Sequence, residues 1–156
     1  MKTLNNDNFR DALLLMLFTG LRKMEVFKMR WEYVDFKDKS FYIPDTKNNT
    51  PLSLPMNSFV MDLLQEREKT SGSGKWVFPG NGKAGHIVDA KSSVKRIEAA
   101  SNIKFMVHDL RRTYATKAGK LSMPHETIQK LLNHTKSNDV TEGYIITDVD
   151  DLREPC

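Results

Sequence analysis

Apolar side chains recur at helical spacing along most of this chain and give way to alternation only between residues 31 and 54, which leaves little besides helices around a small sheet. Phe9, Ala12, Leu13, Met16 and Leu17 form the first stripe, with Asn5, Asn6 and Asp7 as N-cap candidates, and Gly20 interrupts it. A second short helix is expected over residues 22–29. Trp31, Tyr33 and Asp35 then alternate with Glu32, Val34 and Phe36, a pattern open to either strand or turn, until Lys37-Asp38-Lys39-Ser40 supplies a turn. Phe41-Tyr42-Ile43 reads as a strand and Leu52-Ser53-Leu54 as its return. The polar residues 45–50 between them form a hairpin tip, because asparagine tolerates positive φ.

Further helices follow on Phe59, Val60, Leu63 and Leu64, closed by the Ser71-Gly72-Ser73-Gly74 loop, and, after an irregular stretch over 77–82, on Ile87, Ala90, Val94 and Ile97. Leu110, Tyr114, Ala115 and Ala118 mark another, with Gly119 as its C-cap, and Pro124 opens a last one carrying Ile128, Leu131 and Leu132. The expected fold is mainly α with a small antiparallel β-sheet of two or three strands (α+β), a single domain over residues 1–156.

With 156 residues, 39% of them hydrophobic, the chain is long enough to build a core unaided. Its one cysteine, Cys156, forms no intrachain disulfide and suits a reducing interior. The apolar run over residues 12–18 is too short to span a bilayer, with Asp7 and Asp11 before it and Arg22 and Lys23 after it, so it reads as a core helix rather than a membrane segment. The net charge of +4 says little about partners, but its distribution says more. Residues 104–136 hold seven basic side chains against two acidic ones, while Asp148, Asp150, Asp151 and Glu154 make the segment 147–156 an acidic tail. A local positive field of this kind suits a polyanion, although a solvated helix face is the plainer reading of charge alone.

The densest group of reactive side chains is His108-Asp109-Leu110-Arg111-Arg112. If a helix starts near Val107, His108 and Arg111 share a face where both can meet a phosphate, and guanidinium offers two parallel charge-assisted bonds to it. Around this group stand Thr19-Gly20-Leu21-Arg22-Lys23-Met24-Glu25, Lys47 in the hairpin, Leu131-Leu132-Asn133-His134, and Gly143-Tyr144. Their order and spacing, from about Phe9 to Ile146, resemble the catalytic domain of the tyrosine recombinases, the phage-integrase family. Each short motif is weak alone; their specificity is joint.

The resemblance implies that Arg22 and Arg111 clamp a scissile DNA phosphate and that Tyr144 attacks it, forming a 3′-phosphotyrosine and freeing a 5′-hydroxyl. It further implies that Lys47 protonates the leaving oxygen, that His108 assists proton transfer at the nucleophile, that His134 hydrogen-bonds the phosphate, and that Glu25 orients a neighbouring arginine or histidine. Lys23, Arg112 and Lys136 are expected to meet the DNA backbone. Two arginines and a histidine neutralise the charge that builds on five-coordinate phosphorus, so no metal or other cofactor is expected. A phosphotyrosine conserves the energy of the cut bond, so rejoining needs no ATP.

The implied partner is double-stranded DNA, with self-association into a synaptic dimer or tetramer in the full-length protein. The implied location is the bacterial cytoplasm or nucleoid, in the host of a phage or other mobile element. Because family members carry a helical DNA-clamping domain ahead of this one, the chain is expected to be a fragment lacking it. Asn133 stands where the family usually has glycine, and asparagine also tolerates a left-handed backbone. Tyr33 and Tyr42 read as sheet residues, Tyr114 as core, Trp31 and Trp76 as covering side chains, and His86 and His125 as caps or surface residues. Two other functions compete: a helix-turn-helix module over residues 114–133 that binds DNA without chemistry, and a metal-dependent phosphohydrolase using His108, Asp109 and His134.

Overall fold

The computed structural model describes residues 4–47 and 49–133. In chain order these form α1 (Leu4–Thr19), α2 (Lys23–Phe27), a 3₁₀ turn (Trp31–Tyr33), β1 (Val34–Asp35), β2 (Ser40–Ile43), β3 (Leu52–Pro55), α3 (Ser58–Ser71), α4 (Lys91–Ser101), α5 (Val107–Lys120) and α6 (His125–Leu131). The mainly helical fold with a small antiparallel sheet is as expected.

α1 is the hub: it packs against α2, α3 and α5. Phe9, Ala12, Leu15 and Met16 form its buried stripe, whereas Leu13 and Leu17 lie at the edge of the core. The three strands run in the order β1-β2-β3, all antiparallel, with Phe41 opposite both Val34 and Leu54. Period-two alternation puts Phe41 and Ile43 inside and leaves Tyr42 exposed.

Several boundaries differ from expectation, each for a local reason. The stretch 31–36 divides into a 3₁₀ turn and a two-residue strand. The second helix stops at Phe27, and the Met29 carbonyl accepts from Val77 N at 3.0 Å, tying the chain outward into the irregular segment. Ile87 precedes α4 rather than belonging to it: its N–H donates to the Phe78 carbonyl at 3.1 Å. Gly119 lies inside α5, where a Cβ would meet open space, and the left-handed residue is Ser122 (φ 61°). Pro124 occupies the N-cap of α6 rather than its first turn.

Residues 72–90 carry almost no regular structure and are held from outside. Arg67 on α3 pairs with Asp11 of α1 at 2.9 Å, donates from Nε and Nη2 to the Val77 carbonyl at 3.1 and 2.8 Å, bonds Asn8, and lies over the Phe78 ring. A buried guanidinium with this many partners replaces the regular ladder the segment lacks. His86 corrects the surface reading: it is buried edge-on against Trp76, and its Nδ1 is 2.8 Å from the Ile87 carbonyl.

Candidate active site

Gly20, in the turn between α1 and α2, has φ +70°, and a Cβ there would lie 2.6 Å from both Leu132 Cδ2 and Tyr114 Cδ1. Only glycine lets α5 and the end of α6 approach this turn so closely. Arg111, on α5, fills the resulting junction. It is 5% exposed; Nη1 donates to the Gly20 carbonyl at 2.5 Å and Nη2 to the Leu132 carbonyl. Among the described residues these contacts use two of its five donors, so the planar group holds the turn and α6 together with three N–H left over.

Arg22 caps α2 two residues beyond Gly20. Glu25 grips it twice, accepting from the Arg22 backbone N–H at 2.7 Å and from Nη1 at 3.0 Å. The carboxylate side chain is only 4% exposed against 22% for the arginine, so Glu25 acts from beneath while Arg22 reaches toward solvent. Burial above all, and then the Arg22 charge, depress the Arg111 pKa to about 10, with Glu25 offsetting part of both. Among the described residues Arg22 has a carboxylate salt-bridge partner and Arg111 has none, and the two charges repel, so an anion placed between them would offset both burial and repulsion.

Lys47 lies exposed at the tip of the β2–β3 hairpin. The tip does not hang free: Asn133, directly after Leu132, donates from Nδ2 to Thr46 Oγ1 at 3.1 Å and to the Thr50 carbonyl at 3.0 Å. One turn of chain, Leu132-Asn133, therefore touches both Arg111 and the hairpin that carries Lys47.

His108 is exposed in the first turn of α5, three residues before Arg111. Lys23 and Arg112 are also exposed. Asp109, a candidate ligand in the metal reading, is committed to its own helix: its carboxylate accepts from Met106 N at 2.8 Å and pairs with Arg112 at 3.4 Å. Among the described residues there is no group of three His, Cys, Asp or Glu side chains placed to hold a metal. Likewise, no described helix is long and apolar enough to cross a membrane. His134, Lys136 and Tyr144 lie outside the described residues.

The sequence pointed to Arg22, Glu25 and Arg111, and to Glu25 as the support of a neighbouring arginine or histidine, but not to what fastens Arg111. The carbonyls of Gly20 and Leu132 have no sequence signal. Thr46 and Thr50 look like ordinary turn residues until Asn133, more than eighty positions later, meets them. Asn133 itself was legible as a left-handed residue, and its φ is +47°.

The chain matches the model of the Phage integrase family over residues 1–149. It is similar to prophage integrase IntF of Escherichia coli strain K12, 28% identical over 159 residues that cover 99% of this chain and 34% of that protein. Among solved structures it resembles the integrase of mycobacterium phage Brujita, with TM-score 0.75 and 19% identity, covering 99% of this chain and 52% of that one. It also resembles the Tn1549 transposon integrase in complex with circular intermediate DNA, with TM-score 0.68 and 19% identity over 80% of this chain and 51% of the other. The chain thus spans about a third of the curated relative and about half of each solved chain.

Proposed function

The chain belongs to the phage integrase family, and on that premise we propose that it carries the catalytic centre of a site-specific recombinase that cuts and rejoins DNA through a 3′-phosphotyrosine. The observation that carries this reading is Arg111, buried between the Gly20 and Leu132 carbonyls and charged beside Arg22. An arginine used only as structural glue has no need of a second cation next to it, whereas a receptor for a phosphodiester does.

In the proposed reaction the Tyr144 phenolic oxygen forms a bond to the scissile phosphorus as the bond from phosphorus to the 5′ oxygen breaks. The phenol proton passes to His108, and Lys47 supplies a proton to the departing 5′ oxygen. Arg22 and Arg111 neutralise the equatorial oxygens, His134 hydrogen-bonds the phosphate, and Glu25 keeps Arg22 in place. The covalent intermediate keeps the bond energy of the cut strand, and a 5′-hydroxyl reverses the step without cofactor or ATP.

Double-stranded DNA is the proposed substrate, met along its backbone by Lys23, Arg112 and Lys136. Pairing of protomers on DNA and a site of action in the bacterial cytoplasm or nucleoid follow from that substrate. The single domain proposed here works with a separate DNA-clamping domain in the full-length protein, a view that the partial coverage of its relatives supports.

The test is incubation with nicked suicide duplexes drawn from a randomised pool, in EDTA, followed by denaturing electrophoresis. A denaturation-resistant protein–DNA adduct is expected. Cleavage without an adduct that appears only when a divalent ion replaces EDTA favours the phosphohydrolase reading, and binding without cleavage or adduct under either condition favours the helix-turn-helix module.

A further inference from the structure

We propose that Asn133 is a positioning residue for Lys47, acting through the hairpin tip. The proposal rests on the reading above, in which Lys47 is the general acid. Three observations carry it.

First, the Asn133 amide bonds both sides of the tip at once, Thr46 Oγ1 at 3.1 Å and the Thr50 carbonyl at 3.0 Å. These two residues bracket the turn: Thr46 is buried, its hydroxyl donates to the Thr50 carbonyl at 2.7 Å, and its carbonyl accepts from Asn49 N at 3.1 Å. Lys47 lies inside that closed loop. Second, Asn133 has φ +47°, a conformation glycine adopts with less strain, so the backbone does not require an amide side chain there; the tether is what the amide adds. Third, the preceding Leu132 carbonyl accepts from Arg111 Nη2. Asn133 therefore measures the position of the tip from the same turn that seats the phosphate-binding arginine.

The assay substrate is the duplex recovered as an adduct from the randomised pool, made in two forms: one with the ordinary linkage, and one with sulfur replacing the 5′-bridging oxygen at the scissile phosphate. A thiolate leaves without being protonated, so this form does not need the general acid. Asn133→Gly preserves the left-handed turn while deleting the amide, and a melting curve establishes that it folds. Hydrogen exchange should quicken in residues 44–51 of this variant and stay unchanged in the β2–β3 ladder.

Single-turnover cleavage of the ordinary linkage should fall about tenfold, equivalent to about 1.4 kcal/mol, and return to the wild-type rate on the sulfur linkage. Lys47→Ala should lose more and be restored in the same way, and adding Asn133→Gly to it should cost nothing further.

If Lys47→Ala is restored by sulfur while Asn133→Gly is unaffected on both linkages, or equally slow on both, the positioning role is wrong. Unchanged exchange in residues 44–51 also overturns it. If Lys47→Ala is itself equally slow on both linkages, the general-acid assignment fails, and this proposal with it.

Discussion

Arg111 shows how one side chain serves both the fold and the chemistry. Its carbonyl contacts tie the Gly20 turn to the end of α6, and burial and the Arg22 charge disfavour its charged form where it sits, which in the proposed reaction a phosphate offsets. Because the folded protein holds the protonated guanidinium less well than water does, the cost is present at neutral pH, where the group is charged, and is relieved as pH rises through about 10. A bound phosphate stabilises the charged form, so affinity for pyrophosphate, followed by calorimetric titration, should hold through neutral pH and decline as pH passes about 10. Gly20 is the other residue on which the junction depends. Gly20→Ala must adopt a left-handed backbone, at about 1–2 kcal/mol, and press its Cβ into Leu132 and Tyr114, at a further cost of about 1–3 kcal/mol. Urea denaturation should show a loss in that combined range; an unchanged midpoint would mean that α6 does not pack here.

Among the elements, α1 and α3 are joined by the buried Asp11–Arg67 pair, which also fastens residues 77–78. Arg67→Met leaves the Asp11 carboxylate buried without this partner and should cost about 3–5 kcal/mol; Asp11→Asn in the same chain should recover part of it, both read from denaturation midpoints. The helices and the hairpin were legible because hydrophobic period and turn chemistry are local properties. Phe41 and Ile43 alternate with Tyr42, and α1 repeats its apolar residues from Phe9 to Leu17, over about two and a half turns. What was not legible depends on partners distant in sequence. His86 looked like a loop residue because nothing near it announces Trp76 as its cover, and Ile87 was drawn into α4 because its spacing continues the stripe although its N–H belongs to Phe78. Within the site the cationic and acidic residues were legible as types and order. Their seating was not, since Arg111 is held by main-chain carbonyls and the hairpin tip that carries Lys47 is bonded, at Thr46 and Thr50, by an asparagine more than eighty positions later.

For the whole molecule, the basic side chains gathered over residues 104–136 predict an electrostatic hold on the DNA backbone rather than recognition of base edges. Binding to short duplexes should weaken steeply and linearly in log affinity against log salt, and anisotropy titrations at several salt concentrations will show it; a flat response would argue against a backbone-tracking surface. The central claim is that this fold brings a phosphodiester to two arginines so that a tyrosine can take over one of its bonds without a metal. Wild type and Tyr144→Phe, incubated in EDTA with the same nicked duplexes, test it on one gel that reads bound and covalently attached DNA together. The account predicts equal binding in both lanes and an adduct in the wild-type lane alone. An adduct that survives in Tyr144→Phe would place the nucleophile on another residue and contradict it.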